Sequence, residues 1–428
     1  MTSLLWFKQD LRVDDNPVLA AAMQATDCLP VYCIDPRWFQ PDGRGLLPCG
    51  PRRAQFILES LADLQRTLRI KGSDLLVLQG EPEQVLPSLC VDMDVQAVYA
   101  HAEHAPDEQA LMARLKQALP HDVDLHVLES NALFDPADLP FSLEAMPGVF
   151  TRFRNKIEKH TPAHTPLPLS AGMAPLPMGA LDLMRGLPEL LDLGLQACPA
   201  EPRSALPEGP GETSGRAWLD DYLWDSQSVR HYKETRNGLL GKHFSSKLSS
   251  WLTHGCLSPR RVMHELREHE AVHGANDSTY WLWFELLWRE FFRLSLRLHG
   301  SAFFHFGGLQ NGTPPRGADQ RWLDWRGGNT GQPFVDACLR ELNASGFLSN
   351  RGRQIAASYL IHDLQQDWRL GAAWFEQQLI DYDAASNWGN WAYIAGVGHD
   401  PRGGRAFNVA MQAERHDPDG KYVETWAR

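Results

Sequence analysis

The chain has 428 residues, 43% of them hydrophobic, and a formal net charge of −12, which suits two or three units with large cores. No uninterrupted apolar run approaches the ~18–20 residues of a membrane span, and the opening MTSLLWFKQDLR carries a charge too early for a secretory leader, so the chain is expected to be cytoplasmic. Seven scattered cysteines without CxxC spacing argue against a disulfide framework and a structural zinc site.

In chain order, short apolar runs at 4–7, 29–33, 75–78, 95–99 and 125–128 predict five strands over residues 1–130. Helical stretches separate them; in one, Ile57, Leu61, Leu64 and Leu68 recur at helical spacing. That alternation implies an α/β domain, a parallel sheet with helices on both faces. Its pockets form at the carboxyl ends of the strands. Residues 131–210 are rich in proline, glycine, alanine and leucine and read as a long connector, with one short helix between Leu181 and Leu193. From 211 to 428 the pattern is helical throughout. Phe334, Val335, Cys338, Leu339 and Leu342 mark one amphipathic helix with Gly346 as its C-cap, and Ile355, Tyr359, Leu360 and Leu364 mark the next. The second domain is predicted to be all-α.

The stretch from Gly346 to Trp391 is chemically the densest. It holds Arg351 and Arg353, Asp381 and Asp383 on either side of one tyrosine, Asn387, and tryptophans at 368, 374, 388 and 391. Hydrolases have little use for that combination. It suits a protein that holds a large redox ring and moves single electrons through indoles. Carboxylates two apart do not share a helix face, so Asp381-Tyr382-Asp383 is expected on a loop or at a helix end. Further upstream, Ser245-Ser246-Lys247-Leu248-Ser249 offers hydroxyls, N–H groups and one cation just before a helical run. Such a helix start is a natural phosphate cradle, although a serine-rich N-cap is the commoner reading of such a segment alone.

Together, SNRGRQ at 349–354, DYDAASNWGNW at 381–391, WFELLWRE at 283–290 and LLWFKQDLR at 4–12 resemble the photolyase/cryptochrome family, in its cryptochrome DASH branch. The likeness spans nearly the whole chain and is weakest over 131–210. It implies an FAD site built from Tyr232, Ser245, Ser246, Lys247, Leu248, Ser249, Arg289, Asn350, Arg353, Asp381, Asp383 and Asn387. Asp381 would pair with Arg353 beside the ring, Asp383 would meet its pyrimidine edge, and Asn387 would face N5. It implies an electron relay beginning at Trp391 and Trp368. The indole usual ten residues before Trp325 is replaced by Pro315, so Trp325, or else Trp322, is expected as third station. Glu285 and Trp288 would meet a flipped pyrimidine dimer. Tyr393 and Gln354 stand where duplex-specific dimer photolyases carry a tryptophan and a methionine, which implies a looser, more polar pocket.

The function so implied is light-driven repair of cyclobutane pyrimidine dimers, preferentially in single-stranded DNA, by a monomer. The other class is a blue-light sensor that does no repair, and the blandest reading is a flavoprotein that has lost both roles. Glu108 falls where the branch places an acid for 5,10-methenyltetrahydrofolate, an antenna pigment. No metal is expected, and no regulatory tail of any size. The first 200 residues carry about −10 of the charge; from residue 201 onward, 25 Lys and Arg face 27 Asp and Glu. That near-neutral second half predicts modest, salt-sensitive DNA affinity.

Overall fold

A computed structural model describes residues 1–160, 165–168, 172–207, 209–400 and 402–427. Five strands, β1 (Thr2–Phe7), β2 (Asp27–Ile34), β3 (Leu76–Gln79), β4 (Val95–His101) and β5 (Asp124–Leu128), form one parallel sheet in the order β3-β2-β1-β4-β5. Successive side chains of a strand point to opposite faces, and both faces here are covered. Leu5 and Phe7 pack with Leu61, Leu64 and Leu68 of the helix Pro51–Ile70, while Leu4 and Trp6 pack with Val31, Leu86, Val98 and Leu115. The first apolar set continues without a break into the helical half of the molecule.

Beyond β5, the described residues contain no further strand, only an isolated bridge between Gly317 and Gln366. Longest of the helices is Asp277–His299, started by an Asn276 side chain that accepts from the Ser278 and Thr279 N–H groups. The predicted helix of Phe334 and Leu342 is Pro333–Ser345, ended by Gly346 at φ 70°. No helix among the described residues is long and apolar enough to cross a membrane.

The connector departs from expectation. It contains an eleven-residue helix, Phe150–His160, whose Phe150, Phe153 and Ile157 are buried, and only a four-residue helix, Ala180–Leu183, and a 3-10 turn, Leu190–Leu193, where the short helix was expected. Pro147 and Pro162 bracket the Phe150 helix and mask its i, i+3, i+7 stripe within proline-rich surroundings. Residues 161–164, 169–171 and 208 of the connector lie outside the described residues.

Candidate functional site

A cavity of about 290 Å³ opens among the C-terminal helices, lined by Tyr232, the run Ser245–Ser249, Arg289, Asn350, Arg353, Asp381, Asp383 and Asn387. All twelve residues assigned to the cofactor from the sequence thus meet at one place. Glu285, Gln354 and Trp391 line it too, as do Ser349, Ser386 and Asn390, which the sequence reading passed over.

At one end lies the serine loop. None of the N–H groups from Ser245 to Ser249 has a hydrogen-bond acceptor among the described residues. Lys247 is left-handed (φ 51°) and Leu248 right-handed (φ −69°), an alternation that turns successive N–H groups into one concavity, as anion-binding nests do. Unpaired donors of this kind fit a diphosphate. The lysine itself behaves otherwise than expected. Its Nζ donates to the carbonyls of Gly241 (2.7 Å) and Lys242 and lies 3.9 Å from the centre of the Phe244 ring, because a buried ammonium must find acceptors. It therefore fastens its own loop. Burial pulls its pKa down to about 7, against the attraction of Glu341. The unfolded chain then holds more protons than the folded one above pH 7, so this lysine makes stability rise with pH there. Relative to Lys247→Met, the flavin-free protein should gain up to about 1.4 kcal/mol per pH unit from pH 7 upward. Parallel curves of melting temperature against pH for the two proteins would contradict it.

Two helix starts build another part of the lining. Arg353 lies on the helix Asn350–Ser358, capped by Ser349. Its Nη2 donates to both carboxylate oxygens of Asp381 (2.9 and 2.8 Å) and its Nε to the Leu348 carbonyl (2.7 Å). Asp383 is the N-cap of the helix Ala384–Ile394, accepting from the Ser386 N–H at 2.7 Å. Tyr382 between them lies under the buried Arg53 guanidinium, 4.7 Å from its ring centre. Asn387 Nδ2 donates to the Ala372 carbonyl (2.9 Å). One of the two amide protons is committed to that carbonyl; the other, and Oδ1, remain for a partner, so the amide can donate or accept. Arg289 hands its guanidinium protons to the carbonyls of Asn131 (2.9 Å) and Leu252 (3.4 Å), and burial lowers its pKa to about 10.

At the mouth, Glu285 pairs with Arg236, and burial pushes its carboxyl pKa up despite that cation. Gln354 accepts from Arg351 Nη1 (2.9 Å), and Tyr393 Oη from Arg405 Nη2 (2.6 Å). Trp288 and Tyr393 stand outside the cavity lining, edge to face at 6.0 Å, and one face of Trp288 is taken by Phe150 at 3.7 Å.

The ring neighbours of Trp391 are Phe375 at 5.1 Å and Trp325 at 6.1 Å. Trp368, expected second, packs against Trp388 at 5.7 Å and starts the helix Trp368–Gln378, whose Gly371 lies against the Trp391 ring. Trp325, expected third, touches Trp391 directly and is fully buried. Glu108 sits at the third position of the helix Pro106–Ala118, accepting from the Ala105 N–H at 2.8 Å. It borders a cavity of about 20 Å³ shared with Gln9, His101, Glu103, Arg293 and Asp383, which is room for about one water. Burial, with Glu103 and Asp107 nearby, pushes its pKa up to about 8. A folate there would require these side chains to part.

Comparison with known proteins agrees with this geometry. Residues 281–428 match the FAD binding domain of DNA photolyase, and residues 3–171 match DNA photolyase. The chain is 46% identical to cryptochrome DASH of Gloeobacter violaceus, over 99% of this chain and 85% of that one. It is 40% identical to the chloroplastic/mitochondrial cryptochrome DASH of Arabidopsis thaliana, over 99% and 75%. Among solved structures, the cryptochrome of Synechocystis sp. superimposes with a TM-score of 0.94 at 42% identity, covering 99% of this chain and 88% of that one. A class III photolyase from Agrobacterium tumefaciens gives 0.83 at 28%, covering 99% and 86%.

Proposed function

Because the chain belongs to the photolyase/cryptochrome family, in its cryptochrome DASH branch, and takes FAD as cofactor, we propose that it repairs cyclobutane pyrimidine dimers in single-stranded DNA under blue light, acting as a monomer. The observation that carries this reading is the one cavity in which a nest of free N–H groups, an Arg353–Asp381 pair and the Asn387 amide are combined with polar Glu285 and Gln354. FAD, when bound, supplies absorption of blue light and transfer of one electron.

The chain's own residues divide the remaining work. Ser245–Ser249 hold the diphosphate with their backbone, and Arg289 closes the floor of the site beside them. Arg353, fixed by Asp381, would supply positive charge near the ring, Asp383 would meet its polar edge, and the Asn387 amide would face N5. Asn350 lies at the start of the same helix as Arg353. At the mouth, Glu285 and Gln354 offer hydrogen bonds to the Watson–Crick edge of a flipped dimer, while Trp288 and Tyr393 give it an aromatic wall, the arrangement that base-flipping enzymes need. Gln354 and Tyr393 are each bonded to an arginine, Arg351 and Arg405. Such a wall is more polar than an all-aromatic one and returns less for unpairing a duplex lesion. A single strand demands no unpairing.

Reduced protein mixed with UV-irradiated oligo(dT) should restore thymines under blue light, and at least ~10-fold faster than on the same lesion in a duplex, about 1.4 kcal/mol of unpairing left unreturned. No repair of single strands with the flavin fully reduced would favour the other reading, a blue-light sensor. The tight indole contacts of Trp391 would then be the working part. Trp391→Phe should slow photoreduction yet leave repair by pre-reduced protein nearly intact; collapse of both would contradict this division of labour. Glu108 is assigned to a folate-type antenna on this reading, with the parting of its neighbours as the condition.

A further inference from the structure

The small cavity beside Glu108 joins the two halves of the chain at the carboxyl end of the sheet. In the strand order β3-β2-β1-β4-β5 the winding reverses between β1 and β4, the place where a doubly wound sheet opens a crevice. Gln9, just past β1, and His101, the last residue of β4, line the cavity there. Glu108 lines it from the same domain and Asp383 from the helical one. Asp383 lines the cofactor cavity as well, so one side chain is a wall of both.

The polar groups call for an occupant. His101 is sealed from solvent, and its Nδ1 accepts from the Ser130 N–H at 3.2 Å. The ring proton is therefore on Nε2, which is buried without a partner. A buried donor needs an acceptor, and one water in a cavity of about 20 Å³ supplies it. Asp383 can accept from that water, because Oδ1 takes the Ser386 N–H while Oδ2 has no hydrogen-bond partner among the described residues. Other neighbours are committed: Glu103 to Lys8, and His104 and Arg293 to Glu129. Glu108 differs. It accepts from the Ala105 N–H and makes no ion pair among the described residues. Burial, with Glu103 and Asp107 nearby, holds its pKa at about 8 against the pull of Lys8, so it carries a proton at neutral pH.

We infer that Glu108 is the proton donor of the cofactor site, working through one water held by His101 and through Asp383. This rests on the flavoprotein reading above, with the pocket closed around Glu108. Under light an external thiolate gives up one electron and leaves as a thiyl radical, and the cofactor cavity gains one negative charge. The Glu108 O–H bond breaks as its proton passes to the water, which hands one of its own to Asp383. Asp383 releases that proton to a ring nitrogen, where an N–H bond forms. Asn387 stands one turn along the helix that Asp383 caps, its backbone N–H donating to the Asp383 carbonyl at 2.8 Å, so the proton emerges on the side expected to hold N5. Half-buried Glu108 regains a proton from solvent. One electron and one proton thus enter the cavity together.

The test excites the flavin directly in flavin-loaded protein with dithiothreitol, so that an antenna pigment has no bearing. Light-minus-dark infrared spectra are read beside the absorbance of the ring. The parent should lose a protonated-carboxyl band, shifted in D2O, as the ring gains its proton. Glu108→Gln should abolish that band and slow ring protonation at least ~10-fold, with arrival of the electron unchanged within about twofold. Glu108→Asp should restore part of the rate. In the parent the rate should fall about tenfold per pH unit above about pH 8, where Glu108 empties, and Glu108→Gln should lack that slope. Flavin-free protein gives a second readout: its carboxyl band should titrate near pH 8 and be missing from Glu108→Gln. A band and a protonation rate that both survive Glu108→Gln would overturn the assignment. A parent that takes up no flavin, or whose flavin light does not reduce, would instead sink the reading on which it rests.

Discussion

Asp381→Ala should emerge from purification nearly colourless, with less than about a tenth of the parent's flavin per polypeptide. The argument is electrostatic. Asp381 is almost wholly buried, and both its carboxylate oxygens accept from one nitrogen of Arg353. Removing one partner of a buried pair strands the other charge, at a cost of about 3–5 kcal/mol. Because the Arg353 side chain keeps about a quarter of its surface exposed (27%), the lower end of that range applies, and even ~3 kcal/mol is more than a hundredfold in an equilibrium constant. The loss falls on the cofactor because Arg353 and Asp381 both line its cavity. Asp383→Ala is the informative contrast. It removes a helix cap worth about 1 kcal/mol and should lower melting temperature while retaining a larger share of flavin. The ratio of flavin to protein absorbance, read with thermal melts, checks both. Equal flavin content in Asp381→Ala and the parent would undo the role given to the pair.

How far the sequence foretold these arrangements differs from element to element, and the reasons are physical. The strands were legible because a parallel sheet buried on both faces turns its inner strands into short apolar runs, and all five lie where such runs occur, even β5, which is largely exposed at the sheet's edge. The residues expected at the cofactor were legible as one cluster because their motifs are dense, and the structure gathers all twelve around one cavity. What side chains do within a motif was less accessible. Lys247 reads as a cation for phosphates, yet a left-handed backbone and full burial send its ammonium to the Gly241 and Lys242 carbonyls. The contact between two of the indoles was hidden for a related reason: spacing along the chain places Trp325 far from Trp391, and only the packing of the helices Gln320–Gly327 and Ala384–Ile394 brings their rings to 6.1 Å. The helix Phe150–His160 was hidden by its prolines, and with it the Phe150 ring that covers one face of Trp288.

Arg12→Leu should be the most damaging single change outside the cavity. Arg12 stood in the opening motif as one letter of a resemblance, with no role attached. In the structure its buried guanidinium gathers four acceptors from residues 14–131 and one, the Gly255 carbonyl, from the helical half. It donates to the carbonyls of Asp14 (2.9 Å), Asp15 (2.9 Å), Ser130 (2.7 Å) and Gly255 (2.9 Å) and to Asn131 Oδ1 (2.9 Å). Asn131 presents its own carbonyl to Arg289 on the cofactor cavity. The seam leaves no slack, since Gly255 has φ 67° and a Cβ there would come within 2.5 Å of the Asp10 backbone. Leucine would leave five buried acceptors unpaired, at about 1–3 kcal/mol each, against a total stability of about 5–15 kcal/mol for a typical domain. Even half of that penalty should detach the α/β domain from the helical one and loosen the floor of the flavin site. Little folded protein is expected at 37 °C. In material recovered at low temperature, limited proteolysis should cut between the halves before flavin-bound parent is touched. Arg12→Lys should recover only part of the loss, because three donors on a point charge cannot serve a set of acceptors arranged for a planar fork of five. Were Arg12→Leu to melt with the parent and keep its flavin, the seam would have to be held by its neighbours alone, chiefly the Arg260–Asp15 and Arg261–Asp14 pairs.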